Sequence, residues 1–247
     1  MGISEMSLFS PTIDAFWHQT FLDGKVLSRD GGLTIVANAT LGMGRRVMVL
    51  RTADGKVYAI LTPAIAEKLG LYHQQILTEP LLRQKMSEGN VRLHGADYVF
   101  HFAEANRHAL QQEQPQTGVR QLNAADEAVF ALFRSSASEQ DLDDAYVELD
   151  HWAVYGSFEH GCLVCAASMY PWNGQKMADL GVLTLPPYRG LGHASRVVRA
   201  ISRYAYDQGY EPQYRCQVDN EASASLARSA GLSLFGTWEV VSSDSVE

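Results

Sequence analysis

The chain has 247 residues, of which 46% are hydrophobic and 19% charged, and its formal net charge is −8. This composition is typical of a folded globular protein and excludes disordered and collagen-like classes. The acidic balance disfavours sequence-independent binding of nucleic acid, which needs a broad basic surface. No segment approaches the ~20 apolar residues of a membrane helix, and the N-terminus lacks the pattern of a secretory signal. We therefore expect a cytoplasmic protein with no membrane or nucleic-acid partner.

The few cysteines, Cys162, Cys165 and Cys216, argue against a disulfide framework. Cys162 and Cys165 have CxxC spacing, but they fall in an apolar segment that predicts a buried strand. Residues three apart on a strand point to opposite faces, so these thiols cannot close on one metal ion. We predict core cysteines and no metal site.

The clearest change in composition is the Gln-rich stretch 107–118, which carries Pro115 and ends at Gly118. Such a stretch is typical of a linker between domains. We therefore predict an N-terminal domain over residues 1–106 and a second domain over residues 119–247.

The N-terminal domain is predicted to be a smaller α/β unit of unknown role. Thr62-Pro63 and Thr78-Glu79-Pro80 are start signals for helices that end at Gly70 and near Gly89. Ala53-Asp54-Gly55 predicts a hairpin turn. The predicted strands are 33–39, 46–52, 56–61 and 91–102. None of these segments carries a motif with recognisable chemistry.

The C-terminal domain has a clearer pattern, with elements in the order β-α-α-β-β-β-α-β-α-β. A helix over Gly192–Gln208 has one apolar stripe and is stopped by Gly209. The other predicted helices are 124–133, a piece within 139–149, and 221–230, and the predicted strands are 119–122, 153–158, 163–170, 179–185, 213–218 and 232–241. This alternation indicates an α/β fold.

The segment Thr184–Ser195 joins a predicted strand to the longest helix. Two prolines end the strand, Arg189 follows, and Gly190 and Gly192 directly precede the helix. Glycines let the backbone turn tightly and approach a ligand without an intervening Cβ. The unpaired amides at the start of a helix suit a pyrophosphate, to which Arg189 can add charge-assisted hydrogen bonds. The segment therefore predicts a phosphate-binding loop.

Other interpretations of this loop are weaker or plainer. A Rossmann fingerprint needs Gly or Ala where Ser195 stands, and no acidic residue ends the next strand at the required distance. A Walker loop needs Gly-Lys-Ser/Thr, which does not occur. A glycine turn that merely starts a helix is the plain alternative, and a glycine pair on its own would favour it.

Two spaced motifs decide between these interpretations. The loop sequence PPYRGLGHA resembles the Arg/Gln-x-x-Gly-x-Gly/Ala signature of the GNAT acyltransferase superfamily, with Arg189, Gly192 and Ala194 in its slots. Downstream, Asn220-x-x-Ser223-x-x-Leu226 followed by Gly231-Leu232 is similar to the superfamily's second block, although Leu232 replaces the usual Phe.

The resemblance covers roughly residues 118 to 241. It implies a GNAT-like mixed sheet flanked by helices, preceded by the smaller N-terminal α/β domain.

The resemblance also implies acetyl-CoA as co-substrate and no metal. In this family two parallel strands splay apart and hold the pantetheine arm, and their counterparts here are Asp179–Leu185 and Gln213–Val218. Backbone groups of Leu183, Thr184 and Leu185 would then pair with the pantetheine amides and polarise the thioester carbonyl. The other implied cofactor-binding residues are Arg189, Gly190, Leu191, Gly192, His193, Ala194, Asn220 and Ser223.

Several of these side chains have a second interpretation. Asn220 also fits the N-cap of the following helix. His193 occupies a variable slot, so it either donates to a phosphate or is incidental. Arg196, Arg199 and Arg203 share one helix face, which meets the ribose phosphate of the cofactor or is simply solvated.

The implied reaction is direct attack of a primary amine on the thioester, which needs a base and an acid. Many family members carry a Tyr acid after the Leu of the second block, where this chain has Ala227. Tyr214 on the splayed strand is the predicted replacement, with Tyr188 and Tyr170 as weaker candidates. Asp179 is the predicted base because family members often carry an acidic residue near this strand start. A core tyrosine and a surface carboxylate are the plain alternatives.

The implied function is N-acetyl transfer from acetyl-CoA to a small-molecule or peptide amine, with a homodimer left open. Ala227 motivates an alternative from another class, a non-catalytic acyl-CoA-binding sensor or regulatory module. A further hypothesis is that the first hundred residues form a protein-interaction domain, because they lack chemical motifs.

Overall fold

The computed structural model describes residues 7–73, 77–172 and 174–245. The chain divides into two compact units. The described residues of the first unit lie within 7–13, 100–215 and 221–233, and those of the second within 14–99, 216–220 and 234–245.

The helices and strands have the following bounds. The helices are α1 (Pro11–Leu22), α2 (Pro63–Lys68), α3 (Glu79–Glu88), α4 (Glu104–Gln111), α5 (Glu127–Ser135), α6 (Glu139–Ala145), α7 (His193–Asp207) and α8 (Glu221–Ser229). The strands are β1 (Lys25–Asp30), β2 (Leu33–Ala37), β3 (Val47–Thr52), β4 (Val57–Leu61), β5 (Asp97–Phe102), β6 (Val119–Gln121), β7 (Ala153–Glu159), β8 (Cys162–Trp172), β9 (Met177–Thr184), β10 (Glu211–Gln217) and β11 (Leu232–Val240).

The second unit is built on a mixed sheet in the order β1-β2-β4-β3-β11. Its strands β2 and β4 run parallel, whereas β3 pairs antiparallel with both β4 and β11. Helices α2 and α3 pack Ile65, Leu82 and Met86 into the apolar core of this unit. Thr78 caps α3 by accepting a hydrogen bond from the Leu81 N–H. Thr62 is the N-cap residue of α2, but its side chain makes no capping hydrogen bond.

The first unit is built on a mixed sheet in the order β6-β7-β8-β9-β10. The strands β6 to β9 are antiparallel neighbours, and β10 adds to β9 in parallel. Phe130 and Phe133 of α5 pack with Leu183 of β9 in one core cluster. The predicted fold class, α/β with a mixed sheet flanked by helices, is confirmed.

The structure differs from the sequence predictions in several segments. Helix α1 and strand β1 were not predicted, and the strand predicted over 91–102 begins only at Asp97. The predicted linker is helical up to Gln111, and beyond it the carboxylate of Glu113 accepts from the Arg199 guanidinium.

One cysteine prediction is wrong. Cys165 and Cys216 are buried, but Cys162 is exposed because it opens β8 directly after the turn at His160-Gly161. Within the described ranges, no group of three or more His, Cys, Asp or Glu side chains is placed to hold a metal ion. No helix in the described part of the chain is long and apolar enough to cross a membrane.

Candidate active site

The site begins where two parallel strands of the first unit part. The pairing of β9 with β10 runs from Met177↔Glu211 to Leu180↔Tyr214. Strand β9 continues to Thr184, and there it pairs with β8 alone among the described strands. The segment 181–184 therefore has an edge that β10 does not cover.

The hydrogen-bond ladder shows which backbone groups face this edge. The Leu185 N–H donates to the Val164 carbonyl at 3.0 Å, which makes these residues a hydrogen-bonded pair between β8 and β9. Hydrogen-bonded pairs alternate along an antiparallel ladder, so Leu183 also directs its backbone to β8. Val182 and Thr184 direct theirs to the uncovered edge. Of the three residues predicted to offer backbone groups to the cofactor, Thr184 faces the gap, whereas Leu183 and Leu185 direct their backbone groups to β8. Val182, which was not predicted, also faces the gap.

The predicted phosphate loop follows this edge directly. Gly190 and Gly192 both have positive φ, 76° and 81°, which residues with a Cβ rarely adopt. A Cβ built on Gly190 would meet nothing within 4 Å, so the space beside it is open. Helix α7 begins at His193 without a side-chain cap from Gly192, so its first amides have no partner inside the helix.

Arg189 ties the loop to its surroundings. Its Nε donates to the Thr184 carbonyl at 3.1 Å and its Nη2 donates to Asp141 of α6 at 2.9 Å. The hydrogen bond from Ser138 and the Arg189 guanidinium both lower the pKa of Asp141. The guanidinium thus lies at the loop, bound to protein groups that an anion could displace.

His193 is the predicted loop residue whose side chain turns away from solvent. It is buried, with Nε2 3.1 Å from Glu159 and Nδ1 2.9 Å from both Ser157 and Arg196. Its ring therefore fixes the start of α7 to β7, and only its backbone amide is left for an anion.

The other arginines of α7 also have protein partners. Arg199 binds the carboxylate of Glu113 and the carbonyl of Ala230, and Arg203 donates to the Glu113 carbonyl. These contacts bind the segment after α4 to α7 and favour a structural role for this helix face.

Asp179, the predicted base, is buried and surrounded by donors. Its carboxylate accepts from the Nε and Nη2 of Arg215 at 3.1 and 2.6 Å, from Gln213 at 3.0 Å, and from the Tyr170 hydroxyl at 3.3 Å. Burial, with a further effect of the Asp179 charge, raises the pKa of Tyr170 to about 12. Both oxygens of Asp179 are thus engaged, which favours an orienting role.

Tyr214, the predicted acid, meets the second sequence motif. It is buried, its ring packs edge-on against Phe100, and its hydroxyl lies 2.5 Å from the hydroxyl of Ser223 on α8. The structure therefore brings Tyr214 and Ser223 together.

Ala227, in the slot where the family pattern has Tyr, is fully buried. Asn220 is exposed and directly precedes α8, as expected for a capping residue.

A cluster of aromatic rings that sequence reasoning largely missed lies on β8 and the connection into β7. We define the aromatic cluster as Tyr146, His151 and Tyr170, whose ring centroids are 5.0, 5.1 and 5.9 Å apart. The Nδ1 of His151 lies 2.8 Å from the hydroxyl of the buried Ser168. The contact joins residues 17 apart in sequence, and no local motif announces it.

Comparisons with known proteins relate the chain to one family and to several solved structures. Residues 126–232 match the acetyltransferase (GNAT) family. A GNAT-family acetyltransferase from Colwellia psychrerythraea is 17% identical, and the match covers 94% of this chain and 97% of that chain with a TM-score of 0.53. A GCN5-related N-acetyltransferase from Sphaerobacter thermophilus is 13% identical over 82% of this chain and 81% of that chain, with a TM-score of 0.46. No curated protein matches the sequence.

The class of protein that the family match indicates is an acetyltransferase, and the uncovered strand edge and the glycine loop lie within the matched residues. The chain carries a GNAT acetyltransferase domain over residues 126–232. The likeness to the Colwellia protein shows that the fold is shared.

Proposed function

We propose that the chain transfers an acetyl group from acetyl-CoA to a primary amine of a small-molecule or peptide acceptor by direct attack. The observation that carries the proposal is the continuity of the uncovered β9 edge with a glycine loop at an uncapped helix start. A strand edge can pair with the amides of a pantetheine arm, and helix amides with a pyrophosphate.

The residues of the first unit fit this ligand. The backbone groups of Val182 and Thr184 would pair with the pantetheine arm, and a backbone donor there would polarise the thioester carbonyl. The amides from Gly190 to Ala194 would hold the pyrophosphate, and Arg189 would exchange its bond to Asp141 for one to a phosphate. The cofactor supplies the activated acetyl group, so the protein's part is to hold and orient it.

The proposed acid is Tyr214, acting through its short hydrogen bond with Ser223. A Tyr214→Phe variant keeps the ring in its packed position and removes only the hydroxyl. If Tyr214 protonates the departing thiolate, kcat falls about 100-fold while the affinity for acetyl-CoA stays unchanged. Equal kcat in Tyr214→Phe and the unaltered protein would remove Tyr214 from this role.

The second candidate function is a non-catalytic acyl-CoA-binding module. Ala227 favours it, because this fully buried alanine fills the slot of the family's usual acid. One experiment separates the two functions: calorimetric titration with acetyl-CoA, followed by an assay for free thiol with alkyl diamines, amino sugars and a lysine-containing peptide. Binding with thiol release supports the enzyme, and binding without release from any amine supports the module. The absence of binding contradicts both.

A further inference from the structure

We propose that His151 takes the proton of the acceptor amine, at its Nε2 atom. The inference rests on the proposed function and deepens it by assigning the base. Asp179 leaves this role open, because Arg215 and Gln213 occupy its carboxylate oxygens.

The hydrogen bonds of Ser168 favour one of the two tautomers of His151. The Ser168 hydroxyl accepts from the Glu148 N–H at 3.2 Å, lies 3.5 Å from the Tyr146 carbonyl, and lies 2.8 Å from His151 Nδ1. A hydroxyl has one proton and two lone pairs. All three contacts are satisfied together only if Ser168 donates to the carbonyl and accepts from an Nδ1–H group. The neutral ring then has its lone pair on Nε2.

Nε2 has no hydrogen-bond partner among the residues that the structure describes. His151 itself is half-buried, and its neighbour in the aromatic cluster, Tyr146, is 56% exposed. The lone pair of Nε2 is therefore free for a proton from a ligand or a bridging water, and the ring can return that proton to solvent.

The sheet register places this ring beside the point where β9 and β10 part. Ser168 pairs with Gly181 and Tyr170 with Asp179, while the last pair of β9 with β10 is Leu180↔Tyr214. Directly opposed residues share one face of a sheet, so the partner of His151 lies on the same face as Gly181. Neighbouring strands are about 4.8 Å apart, so the uncovered edge is one strand away.

Helix α6 closes on the same face and brings Tyr146 to it. A Cβ on Gly181 would stand 1.9 Å from the Ala145 carbonyl oxygen, so the end of α6 lies directly on β9. The next residue, Tyr146, has a left-handed backbone with φ 47° and turns the chain toward His151. The site for the amine thus has aromatic walls, which attract an ammonium ion.

The charged groups around His151 keep it available as a base. Burial lowers the pKa of His151 below its ordinary 6.5, while the carboxylates of Asp150 and Glu148 act in the opposite direction. Glu148 is itself bound by Arg134. On β8, Tyr170 keeps its proton at neutral pH because burial raises its pKa to about 12. The ring of His151 is therefore mostly neutral at pH 7.

The proposed step moves two protons from the amine and one acetyl group from sulfur to nitrogen. The alkylammonium gives one proton to His151 Nε2, and the freed lone pair of its nitrogen forms a bond to the thioester carbonyl carbon. The carbon–sulfur bond then breaks, Tyr214 gives its proton to the thiolate and takes the second amine proton in exchange, and the products are an amide and a thiol. His151 finally releases its proton to water.

The first test needs no acceptor. Long-range proton–nitrogen NMR of the full chain distinguishes the two imidazole tautomers and follows the titration of His151. We expect the Nδ1–H tautomer and a midpoint below 6.5. An Nε2–H tautomer, or a ring already charged at pH 7, would overturn the assignment whether or not the protein transfers acetyl groups.

The second test uses His151→Gln, with His108→Gln on the exposed face of α4 as the matched control. With the amine that gives the fastest thiol release, we expect kcat/KM to fall about 100-fold in His151→Gln and to stay unchanged in His108→Gln. The acidic limb of the pH profile of kcat/KM should disappear with His151, and acetyl-CoA affinity by calorimetry should not change.

An unaltered rate and pH profile in His151→Gln, with acetyl-CoA still bound, would overturn the assignment and leave the proposed function standing. Failure of the unaltered protein to bind acetyl-CoA would instead overturn the proposed function. Ser168→Ala adds a variant that keeps the imidazole, and the assignment predicts loss of the pure Nδ1–H tautomer in its spectrum.

Discussion

Asp179 and Arg215 form a two-point ion pair in which both side chains are largely buried, with 7% and 24% of their surfaces exposed. Removing one partner of such a pair leaves the other charge poorly solvated. We expect Asp179→Asn to lower the free energy of unfolding by about 2 kcal/mol, measured by urea denaturation. The control is Asp54→Asn, whose partner Lys56 is 60% exposed and which should cost well under about 1 kcal/mol. Equal losses in the two variants would show that the buried pair contributes nothing special.

His101 makes stability depend on pH. Its ring is fully buried with Nδ1 3.1 Å from the Pro212 carbonyl, and burial lowers the pKa of His101 to about 4. An unfolded histidine titrates near 6.5. Between these two pKa values the unfolded chain binds a proton at His101 and the folded chain does not. The stability that this residue contributes is fully present above pH 6.5 and is lost as the pH falls toward 4. The difference corresponds to about 3 kcal/mol.

The measurement is urea denaturation of the unaltered chain and of His101→Gln at pH 7 and pH 4.5. Other groups also titrate in this range, so the informative quantity is the difference between the two proteins. We expect the variant to lose less free energy of unfolding on acidification. Parallel losses would mean that His101 is protonated in the folded protein without penalty.

Gly181 is required by the close approach of α6. Because its Cβ would stand 1.9 Å from the Ala145 carbonyl oxygen, Gly181→Ala must displace α6 or β9. We expect a loss of about 2 kcal/mol in the free energy of unfolding. Gly95→Ala is the control, since a Cβ there meets nothing within 4 Å. A Gly181→Ala variant as stable as the control would contradict the packing of α6 on this strand.

A comparison of alanine variants at Gly192 and Gly209 distinguishes an effect on cofactor binding from the cost of backbone strain. Gly192 and Gly209 flank α7 and have similar positive φ values, 81° and 75°. An alanine at either position costs about 1 kcal/mol of stability. Only Gly192→Ala alters the loop, so we expect its Kd for CoA to rise at least ~10-fold while Gly209→Ala binds normally. Calorimetry measures both Kd values. Equal affinities of the two variants for CoA would show that the loop does not bind the cofactor.

The sequence was informative where local chemistry decides the structure. The glycine loop, the start of α8 after Asn220 and the cap of α3 at Thr78 all depend on residues within one turn. Helix α1 was missed because PTIDAFWHQTFL has apolar residues on most of its surface and no clear amphipathic period.

The site was harder to predict where it depends on distant pairing. Val182 faces the gap because of the register of β8 with β9, and this register cannot be predicted from the sequence. Ser168 and His151 meet only because β8 folds back along β7, and the burial that lowers the pKa of His101 comes from packed segments far away in sequence. The role of a side chain next to a motif can be predicted from the sequence. The partners that the fold brings to it from distant segments cannot.

The central claim is that acetyl-CoA binds along the uncovered edge of β9 and at the start of α7. Hydrogen–deuterium exchange of the full chain with and without acetyl-CoA tests it most directly. We expect the amides of Val182 and Thr184 in the segment 181–185, and those from Gly190 to Ala194 in the segment 189–195, to exchange at least ~10-fold more slowly when the ligand is present. Binding of acetyl-CoA with unchanged exchange in both segments would contradict the account.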